Sequence, residues 1–398
     1  MIELLAPAGD LEKLKVAIFY GADAVYIGGK KFSLRARASN FGFKEIIEAV
    51  EFAHTHHAKV YVTMNIVPHD EDLNELEEYI HFLNANNVDG IIITSLYIAQ
   101  VAKRIAPSME CHLSTQFSAS NSDTVNLFKD LGFSRVVLAR EVGLKQIAEI
   151  AKKTDLELEV FIHGGMCVSY SGRCMLSNHM SDRDANRGGC AHSCRWNYQL
   201  FDDNGPLLEN NDFFAMGSRD LCGIRAIPSL IDLGITSLKI EGRMKSIYYI
   251  ATVVRCYRML IDEYLATRKI KDFSFYEQEI AKAENRTTGS GFLFQLPGIN
   301  EQLYNNDSIV PTKEFIGLVL EYNPSTKFVK IQQRNYFEVG CEVEFFGPNR
   351  VNFKQKVLFL YDEFGNEITQ APHPLQIVFF QVDFPVESGD MVRLANQK

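Results

Sequence analysis

Four of the eight cysteines in this chain fall within one short stretch, at Cys167, Cys174, Cys190 and Cys194. Their spacing reads C-x6-C-x15-C-x3-C, among glycine, serine, asparagine and arginine residues. No apolar period of about 2 or 3.6 residues runs through the stretch, so it is predicted to be a loop. A loop without an apolar core needs another element to hold it, and four thiolates are suited to binding a metal centre.

Two disulfides, a zinc ion and uncoordinated thiols are the alternatives to an iron–sulfur cluster. Disulfides are disfavoured because residues 1–5 carry no basic leader, so a cytoplasmic location is expected, where thiols stay reduced. Structural zinc sites more often use close C-x2-C pairs, which this chain lacks. The wider spacing therefore favours a cluster, with zinc as the alternative.

Polar residues end several β-rich runs elsewhere in the chain. The candidate catalytic residues among them are Lys239, Glu241, His163, Gln116 and Asn65. Cationic residues lie at or just after the ends of similar runs and could bind a phosphate or a carboxylate. These candidate substrate-binding residues are Arg35, Arg37, Arg140, Arg243 and Lys245. Arg243 is the best candidate for a carboxylate clamp because it follows the last run immediately.

The elements that position these residues alternate in type from residue 2 to about 265. Eight β-rich runs, each followed by a longer stretch with helical spacing, predict a (β/α)8 barrel. The predicted strands are Glu3–Pro7, Ala24–Gly28, Val60–Asn65, Gly90–Ser95, Cys111–Gln116, Arg135–Arg140, Glu159–His163 and Ser237–Glu241. Clear helical candidates are Lys44–Thr55, Leu73–Asn84, Ser95–Ile105, Leu144–Lys152, Gly223–Leu233 and Ile247–Leu265. A doubly wound sheet is the alternative, but the turn at 6–10 lacks its glycine-rich phosphate fingerprint.

Side chains alternate between the two faces of a strand. Leu238 and Ile240 suit the helix-covered face of the eighth strand, so Lys239 and Glu241 are predicted to point inward. The same alternation predicts an inward position for Thr63, Asn65, Ser114, Gln116, Glu159 and His163, with Glu3, Tyr26 and Arg140 joining them. The cysteine loop follows the seventh strand and should lie over the same mouth. The alternative to an active site is a ring of satisfied ion pairs, for example Lys239 with Glu241 or Glu159.

The predicted domain boundaries are a catalytic barrel over 1–270 that includes the cysteine loop 164–200, a linker over 271–312, and a second domain over 313–398. Short β runs and turn signals predict that the second domain is a small antiparallel β-barrel. The chain has 46% hydrophobic and 23% charged residues, and it lacks an apolar run of the roughly 20 residues that span a membrane. Its net charge of -9 argues against sequence-blind adhesion to nucleic acid but allows a local basic patch.

Three segments of the chain resemble a known family. They are ELLAPAGDLEKLKVAIFYGADAVYIGG at the start, EVFIHGGMCVSYSGRCMLS at the cysteine loop and SLKIEGRMKS at the eighth strand. They are similar to the collagenase-like peptidase family 32 of the unassigned (U) class. The resemblance covers the whole predicted barrel, and the C-terminal region is similar to the extra domain of the longer members.

Members of that family include iron–sulfur hydroxylases of RNA and of ubiquinone precursors. By the segment NRGGCAHSCRW and the C-terminal domain, the chain most resembles members that form 5-hydroxyuridine at the tRNA wobble position in a prephenate-dependent reaction. The resemblance implies a 4Fe-4S cluster on Cys167, Cys174, Cys190 and Cys194, prephenate as cosubstrate and tRNA as partner. Cys222, in the segment SRDLC, could replace one of these four ligands.

The sequence is also compatible with other functions. Proteolysis needs an activated nucleophile or a metal-bound water, and the chain has neither H-E-x-x-H nor G-x-S-x-G. A Cys167–His163 pair could act as a nucleophile only if a tight turn brought the two side chains together. Hydroxylation of another RNA or a small molecule, and a non-catalytic role in RNA binding or assembly, are the further alternatives.

Overall fold

The computed structural model describes residues 2–34, 39–207, 213–283, 286–303, 314–348 and 350–395. Its first part is a closed barrel of parallel strands, as predicted. The first seven strands are β1 (Glu3–Pro7), β2 (Ala24–Gly28), β3 (Lys59–Met64), β4 (Gly90–Ile93), β5 (Glu110–Leu113), β6 (Arg135–Val137) and β7 (Glu157–Gly164). Each pairs with the next, and a later strand at Ser237–Ile240 lies between β7 and β1 and closes the ring.

Helices cover the outside of the barrel. The first six are α1 (Leu11–Phe19), α2 (Phe43–Thr55), α3 (Leu76–Ala85), α4 (Leu96–Ile105), α5 (Ser122–Asp130) and α6 (Leu144–Ala151). Their starts are set by side-chain caps such as Asp10, Ser95 and Asn121, each of which accepts a hydrogen bond from a backbone N–H in the first turn. The prediction for α3 began too early, because 70–73 form a separate turn of 3-10 helix.

The cysteine region follows β7 and leads back to the barrel. Its elements are a short helix α7 (Leu176–Ser181), a two-residue hairpin of β8 (Phe201–Asp202) and β9 (Gly205–Pro206), and β10 (Asp220–Cys222). Strand β10 runs antiparallel to the end of β7, pairing Leu221 with Gly164. This pairing anchors the returning chain at the carboxyl end of the barrel strands, where active sites of such barrels lie.

The chain then completes the barrel and continues into additional structure. The elements are α8 (Ile227–Asp232), β11 (Ser237–Ile240), α9 (Ile247–Thr267), α10 (Phe273–Ala281) and β12 (Thr288–Gly289). The segment 271–312, predicted as a linker, thus contains a helix and a strand that pairs with β10. Helix α10 is fixed to α9 by a hydrogen bond of 2.6 Å from the Tyr276 hydroxyl to Glu263. None of the helices in the described ranges is long and apolar enough to cross a membrane.

The second domain is an antiparallel β structure, as expected, but its main sheet is a half-barrel. Its strands are β13 (Phe315–Asn323), β14 (Phe328–Gln333), β15 (Phe337–Glu338), β16 (Glu342–Phe346), β17 (Phe353–Lys356), β18 (Leu360–Asp362), β19 (Glu367–Ile368), β20 (Gln370–Ala371), β21 (Ile377–Gln381) and β22 (Met391–Leu394). Eight of them form one sheet in the order β17-β16-β22-β13-β14-β21-β18-β19, and its two end strands do not pair with each other in the described part of the chain. The antiparallel β domain that the sequence predicted is therefore confirmed, and within the described residues its main sheet is open at both ends.

Buried ionic and polar contacts join the two domains. Arg393 on β22 is fully buried and donates hydrogen bonds to Glu279 on α10 at 2.9 Å and to Glu344 on β16 at 2.6 Å. Tyr20, at the end of α1, donates to the Gly389 carbonyl at 2.9 Å. Because these groups are buried and paired across the boundary, the half-barrel is held against the helices of the barrel rather than tethered loosely.

Candidate functional site

The inside of the barrel is largely polar. Among the described residues its buried apolar cluster comprises Leu5, Ala24, Tyr26, Tyr61 and Ile92, and Phe161 adds one ring at the mouth, whereas the much larger apolar core lies between the strands and the surrounding helices. Interiors of such barrels are usually filled by branched apolar side chains. The polar side chains of the interior must therefore be satisfied by hydrogen bonds and ion pairs with one another.

A small cavity of about 70 Å³ lies at the mouth. Its lining includes most of the predicted inward residues, namely Tyr26, Thr63, Asn65, Ser114, Gln116, Arg140, Lys239 and Glu241. Arg243, the predicted carboxylate clamp, and Phe161 also line it. The alternation along β3 and β11 therefore holds. The structure brings together four of the five candidate catalytic residues and two of the candidate substrate-binding arginines.

Below the cavity, charged residues form a chain of contacts along the barrel axis. The Lys239 ammonium lies 2.6 Å from Glu159, and Glu159 lies 3.3 Å from Arg135. Arg135 also contacts Glu3 at 2.6 Å, and Glu3 accepts a hydrogen bond of 2.7 Å from Tyr61. The lower part of the interior is therefore a set of satisfied ion pairs, which the sequence allowed as the alternative to an active site. Of Glu159 and Glu241, the two partners considered for Lys239, the structure pairs it with Glu159.

The electrostatics of this pair follow from its burial. Burial lowers the pKa of Lys239 below its ordinary value, although the Glu159 carboxylate opposes that change. Burial also acts to raise the pKa of Glu159, but the charges of Lys239 and Arg135 outweigh it and lower the pKa. Lys239 is consequently a buried amine at the mouth that gives up its proton more readily than a lysine in water.

Three of the acceptors around Arg243 are oxygen atoms of neutral side chains. Its guanidinium donates hydrogen bonds to Ser33 at 2.8 Å, Thr63 at 3.3 Å and Asn40 at 2.5 Å. A Cβ atom at Gly28 would lie 2.2 Å from this guanidinium, so a larger residue there would displace the guanidinium from these hydrogen bonds. These contacts fix the direction of Arg243 and hold a positive charge at the edge of the mouth.

The four cysteines of the loop line a second cavity of about 100 Å³. All four are free thiols, and Cys167 is the most exposed of them. Burial raises the pKa of Cys194, and the neighbouring thiols Cys167, Cys190 and Cys174 raise it further. The four side chains therefore face a common space. Within the described ranges, no group of three or more His, Cys, Asp or Glu side chains has the arrangement of a metal site.

The two cavities adjoin each other. Leu34, Gln116 and Arg140 line both of them. The Arg140 guanidinium stacks 4.2 Å above the ring of Phe161, which itself faces the barrel interior. Arg140 thus stands at the junction of the cysteine cavity and the barrel mouth. The cysteine loop lies over the mouth, as the sequence predicted.

The prediction that His163 faces the interior is wrong. Its ring packs against Tyr249 and Tyr257 of α9, and its Nδ1 lies 3.3 Å from the Tyr257 hydroxyl. The register of β7 against β11 shifts here, so that Lys239 pairs with Phe161 and Ile240 with His163. Such a bulge reverses the alternation that the prediction assumed. Burial lowers the pKa of His163 to about 3, so the ring is neutral near pH 7.

Lys245 belongs to a separate cluster beside the cysteine loop. It lies 3.8 Å from Asp220, which also contacts Arg195 at 3.3 Å and Arg286 at 3.7 Å. Arg195 additionally donates to the Met166 carbonyl at 3.1 Å. Met166 precedes Cys167, the first loop cysteine, and Arg195 follows Cys194, the last one. The contacts of Arg195 therefore connect both ends of the cysteine loop to Asp220 on β10. Lys245 does not line the mouth cavity.

Arg35 and Arg37 lie outside the described residues. Cys222 lies on β10 opposite His163 and is not among the residues that line the cysteine cavity, so the structure separates it from the four loop thiols.

Sequence reasoning missed Arg135, Phe161 and Asp220. Alternation of side chains along β6 and β7 could have placed Arg135 and Phe161 inside the barrel. Arg135 is the first residue of β6, and Phe161 lies two positions after Glu159 on β7. No local pattern marks Asp220. Its cationic neighbours come from three distant parts of the chain and meet only in the fold.

Two family models match this chain. One, described as Peptidase family U32, matches residues 9–303, and the other, described as Peptidase family U32 C-terminal domain, matches residues 311–393. A relative named tRNA hydroxylation protein P1, from Bacillus subtilis (strain 168), is 49% identical over 399 residues, covering 98% of this chain and 94% of the relative.

Two other relatives have names that refer to RNA hydroxylation. The tRNA hydroxylation protein P of Helicobacter pylori (strain J99) is 38% identical over 325 residues, covering 79% of this chain and 76% of that protein. The 23S rRNA 5-hydroxycytidine C2501 synthase of Escherichia coli (strain K12) is 39% identical over 267 residues, covering 67% of this chain but only 40% of that protein.

Proposed function

This chain belongs to peptidase family U32, and from that premise we propose that it is an RNA hydroxylase whose substrate is tRNA. The finer proposal is that it forms 5-hydroxyuridine at the wobble position, with prephenate as cosubstrate and a 4Fe-4S cluster as cofactor. The observation that carries it is the cavity of four thiols directly beside the polar mouth of the barrel. Near-full-length similarity to a protein named for tRNA hydroxylation supports the substrate class.

The arrangement of the two cavities suits chemistry on an extruded base. Replacing the C5–H bond of uridine by C5–OH removes two electrons from the base and needs both an oxygen donor and an electron acceptor besides the cluster, so the base has to approach a redox centre. The two cavities share Gln116 and Arg140, so a planar ring at that junction would meet both the thiols and the polar mouth. The amide of Gln116 can donate to and accept from the edge of a uracil ring.

The cysteines would hold the cluster by their thiolates. Cys167, Cys174, Cys190 and Cys194 face one cavity in a loop that lacks an apolar core of its own, and Cys222 lies apart from them. When bound, a 4Fe-4S cluster supplies one-electron transfer at the mouth. Zinc in the same cavity is the alternative, and iron and sulfide content distinguishes the two.

The residues of the mouth have separate roles in this proposal. Arg243 and Arg140 would bind the carboxylates of prephenate, because both guanidinium groups line the mouth and Arg243 is held in a fixed direction by neutral acceptors. Lys239 would accept or return a proton, because burial lowers its pKa and Glu159 lies 2.6 Å away to balance its charge. Glu241, which accepts a hydrogen bond of 3.2 Å from the Gly165 backbone N–H, would hold the start of the cysteine loop at the mouth.

The test combines metal analysis with nucleoside analysis. Protein purified without oxygen should contain iron and labile sulfide, and a strain that lacks the gene should lose 5-hydroxyuridine from its tRNA by mass spectrometry. Complementation with Arg243→Lys should restore less of the nucleoside than complementation with the wild type, because lysine cannot reproduce the planar donor geometry. A deletion strain with normal 5-hydroxyuridine, in a background without a second hydroxylase, would refute the proposed activity.

Proteolysis is less well supported by the site. The one thiol–imidazole pair considered from the sequence is not formed, since His163 contacts Tyr257 under α9 while Cys167 is exposed in the loop. Incubation of the anaerobically purified protein with gelatin or collagen is therefore expected to give no cleavage above that of a Lys239→Met variant.

A further inference from the structure

A cavity of about 470 Å³ lies on the second domain, on the face of the sheet opposite its apolar core. Strand alternation creates this face: Val329, Ile331 and Phe380 point into the core, while Lys330 and Phe379 point outward and are half-buried. The volume falls within the range of roughly 300–1,000 Å³ that is typical of ligand sites. Nothing in the proposed hydroxylase chemistry uses this cavity.

The floor of the cavity is a row of side chains on four neighbouring strands. Glu321 pairs across the sheet with Lys330, Lys330 with Phe379, and Phe379 with Tyr361. Phe328 lies beside this row, with its ring centre 5.7 Å from that of Tyr361. Three aromatic rings therefore line one side of the cavity, and the Lys330 ammonium stands 6.0 Å above the ring of Phe379.

Carboxylates outnumber cations around these rings. Glu321, Asp362 and Glu363 line the cavity together with a single cation, Lys330. Asp362 is fixed by a tight turn, in which its Oδ1 accepts hydrogen bonds from the backbone N–H groups of Phe364 at 2.9 Å and Asn366 at 2.8 Å. Aromatic faces and carboxylates both attract cations, whereas the net negative charge repels phosphate.

We propose that this cavity binds an arginine side chain presented by a partner protein. A guanidinium can stack on an aromatic ring while it donates two parallel hydrogen bonds to a carboxylate, which matches the combination of rings and acidic groups here. An RNA strand would also find stacking surfaces, but it would bring its phosphates close to three carboxylates. Charge complementarity therefore favours a basic protein segment.

Lys330 provides a test in which the two kinds of partner give opposite results. In the free protein it lies beside Glu321 and over Phe379, so it competes with an incoming cation. If an arginine side chain occupies the cavity, Lys330→Ala should strengthen binding of a fluorescently labelled peptide with two arginines by about two- to fivefold and leave binding of a labelled single-stranded RNA unchanged. Lys356→Ala, which removes an exposed lysine of β17 that is not part of the cavity, should change neither.

Aromatic substitutions complete the experiment, which uses fluorescence anisotropy on the full-length protein. Tyr361→Ala should weaken peptide binding by roughly three- to tenfold, and Tyr361→Phe should preserve it, because the ring and not the hydroxyl faces the cation. A peptide with citrulline in place of arginine should bind markedly more weakly. Equal binding of the two peptides, or weaker peptide binding by Lys330→Ala, would overturn the proposal, and loss of RNA binding in Lys330→Ala would assign the face to RNA.

Discussion

Substitution of Glu159 tests the buried charge network of the barrel directly. Its carboxylate contacts Lys239 at 2.6 Å and Arg135 at 3.3 Å, and its side chain is fully buried. In Glu159→Gln, the amine of Lys239 stays buried but loses its carboxylate partner. Removing one partner of a buried pair costs about 3–5 kcal/mol.

Glu157→Gln is the matched control. Glu157 lies on the same strand and contacts the same guanidinium at 2.8 Å, but its side chain is 46% exposed. An exposed pair contributes about 0–1 kcal/mol. With the unfolding entropy that is typical per residue, a chain of 398 residues should melt roughly 4–6 °C lower as Glu159→Gln and about 1 °C lower, or less, as Glu157→Gln. Differential scanning calorimetry at pH 7 measures both shifts.

The pH dependence of the free energy of unfolding provides a second test of the same ion pair. The pKa of Glu159 is lowered in the folded protein, so its stabilising effect is complete above the pKa of an unfolded glutamate, about 4.3, and is lost as the pH falls through the folded-state value. The difference in stability between the wild type and Glu159→Gln should therefore stay constant from pH 7 to about 5 and become smaller in stronger acid. The double variant Glu159→Gln with Lys239→Met should recover part of the loss. Equal melting of Glu159→Gln and Glu157→Gln at pH 7 would refute the reasoning.

Four other substitutions have equally definite outcomes. Cys190→Ser should lose most of the iron and sulfide of the anaerobic protein while Cys222→Ser keeps them, and equal loss would show that Cys222 is a ligand. Arg393→Met removes the guanidinium that Glu279 and Glu344 share, while Lys282 still contacts both carboxylates, so urea denaturation should show a loss of about 3 kcal/mol, the lower end of the range for a broken buried pair. His163→Gln should remove a loss of stability that occurs in acid, because the pKa of His163 in the folded protein is about 3, below its ordinary value of 6.5. As the pH falls below 6.5, the wild type should lose about 1.4 kcal/mol of stability per pH unit relative to the variant. Parallel curves of stability against pH for the two proteins would contradict this.

Several features could be predicted because they depend on local periodicity. Strand and helix alternation predicted the barrel, and the β runs after residue 313 predicted the second domain. The alternation of side chains along one strand placed Lys239 and Glu241 at the mouth, since neighbouring positions on a strand must face opposite ways. The cysteine spacing predicts one metal centre; the four thiols line one cavity, and the centre itself stays a prediction.

Other features depended on contacts between distant segments. The bulge that turns His163 away from the mouth arises from the register between β7 and β11, and the selection of Glu159 as the partner of Lys239 required the positions of both strands. Whether the β domain closes into a barrel was decided by which strands lie at the ends of its sheet. The amino-acid sequence determined which side chains share a face, because that follows from backbone geometry within one element. Only the tertiary structure decided which faces meet, because register, closure and burial are properties of elements packed together.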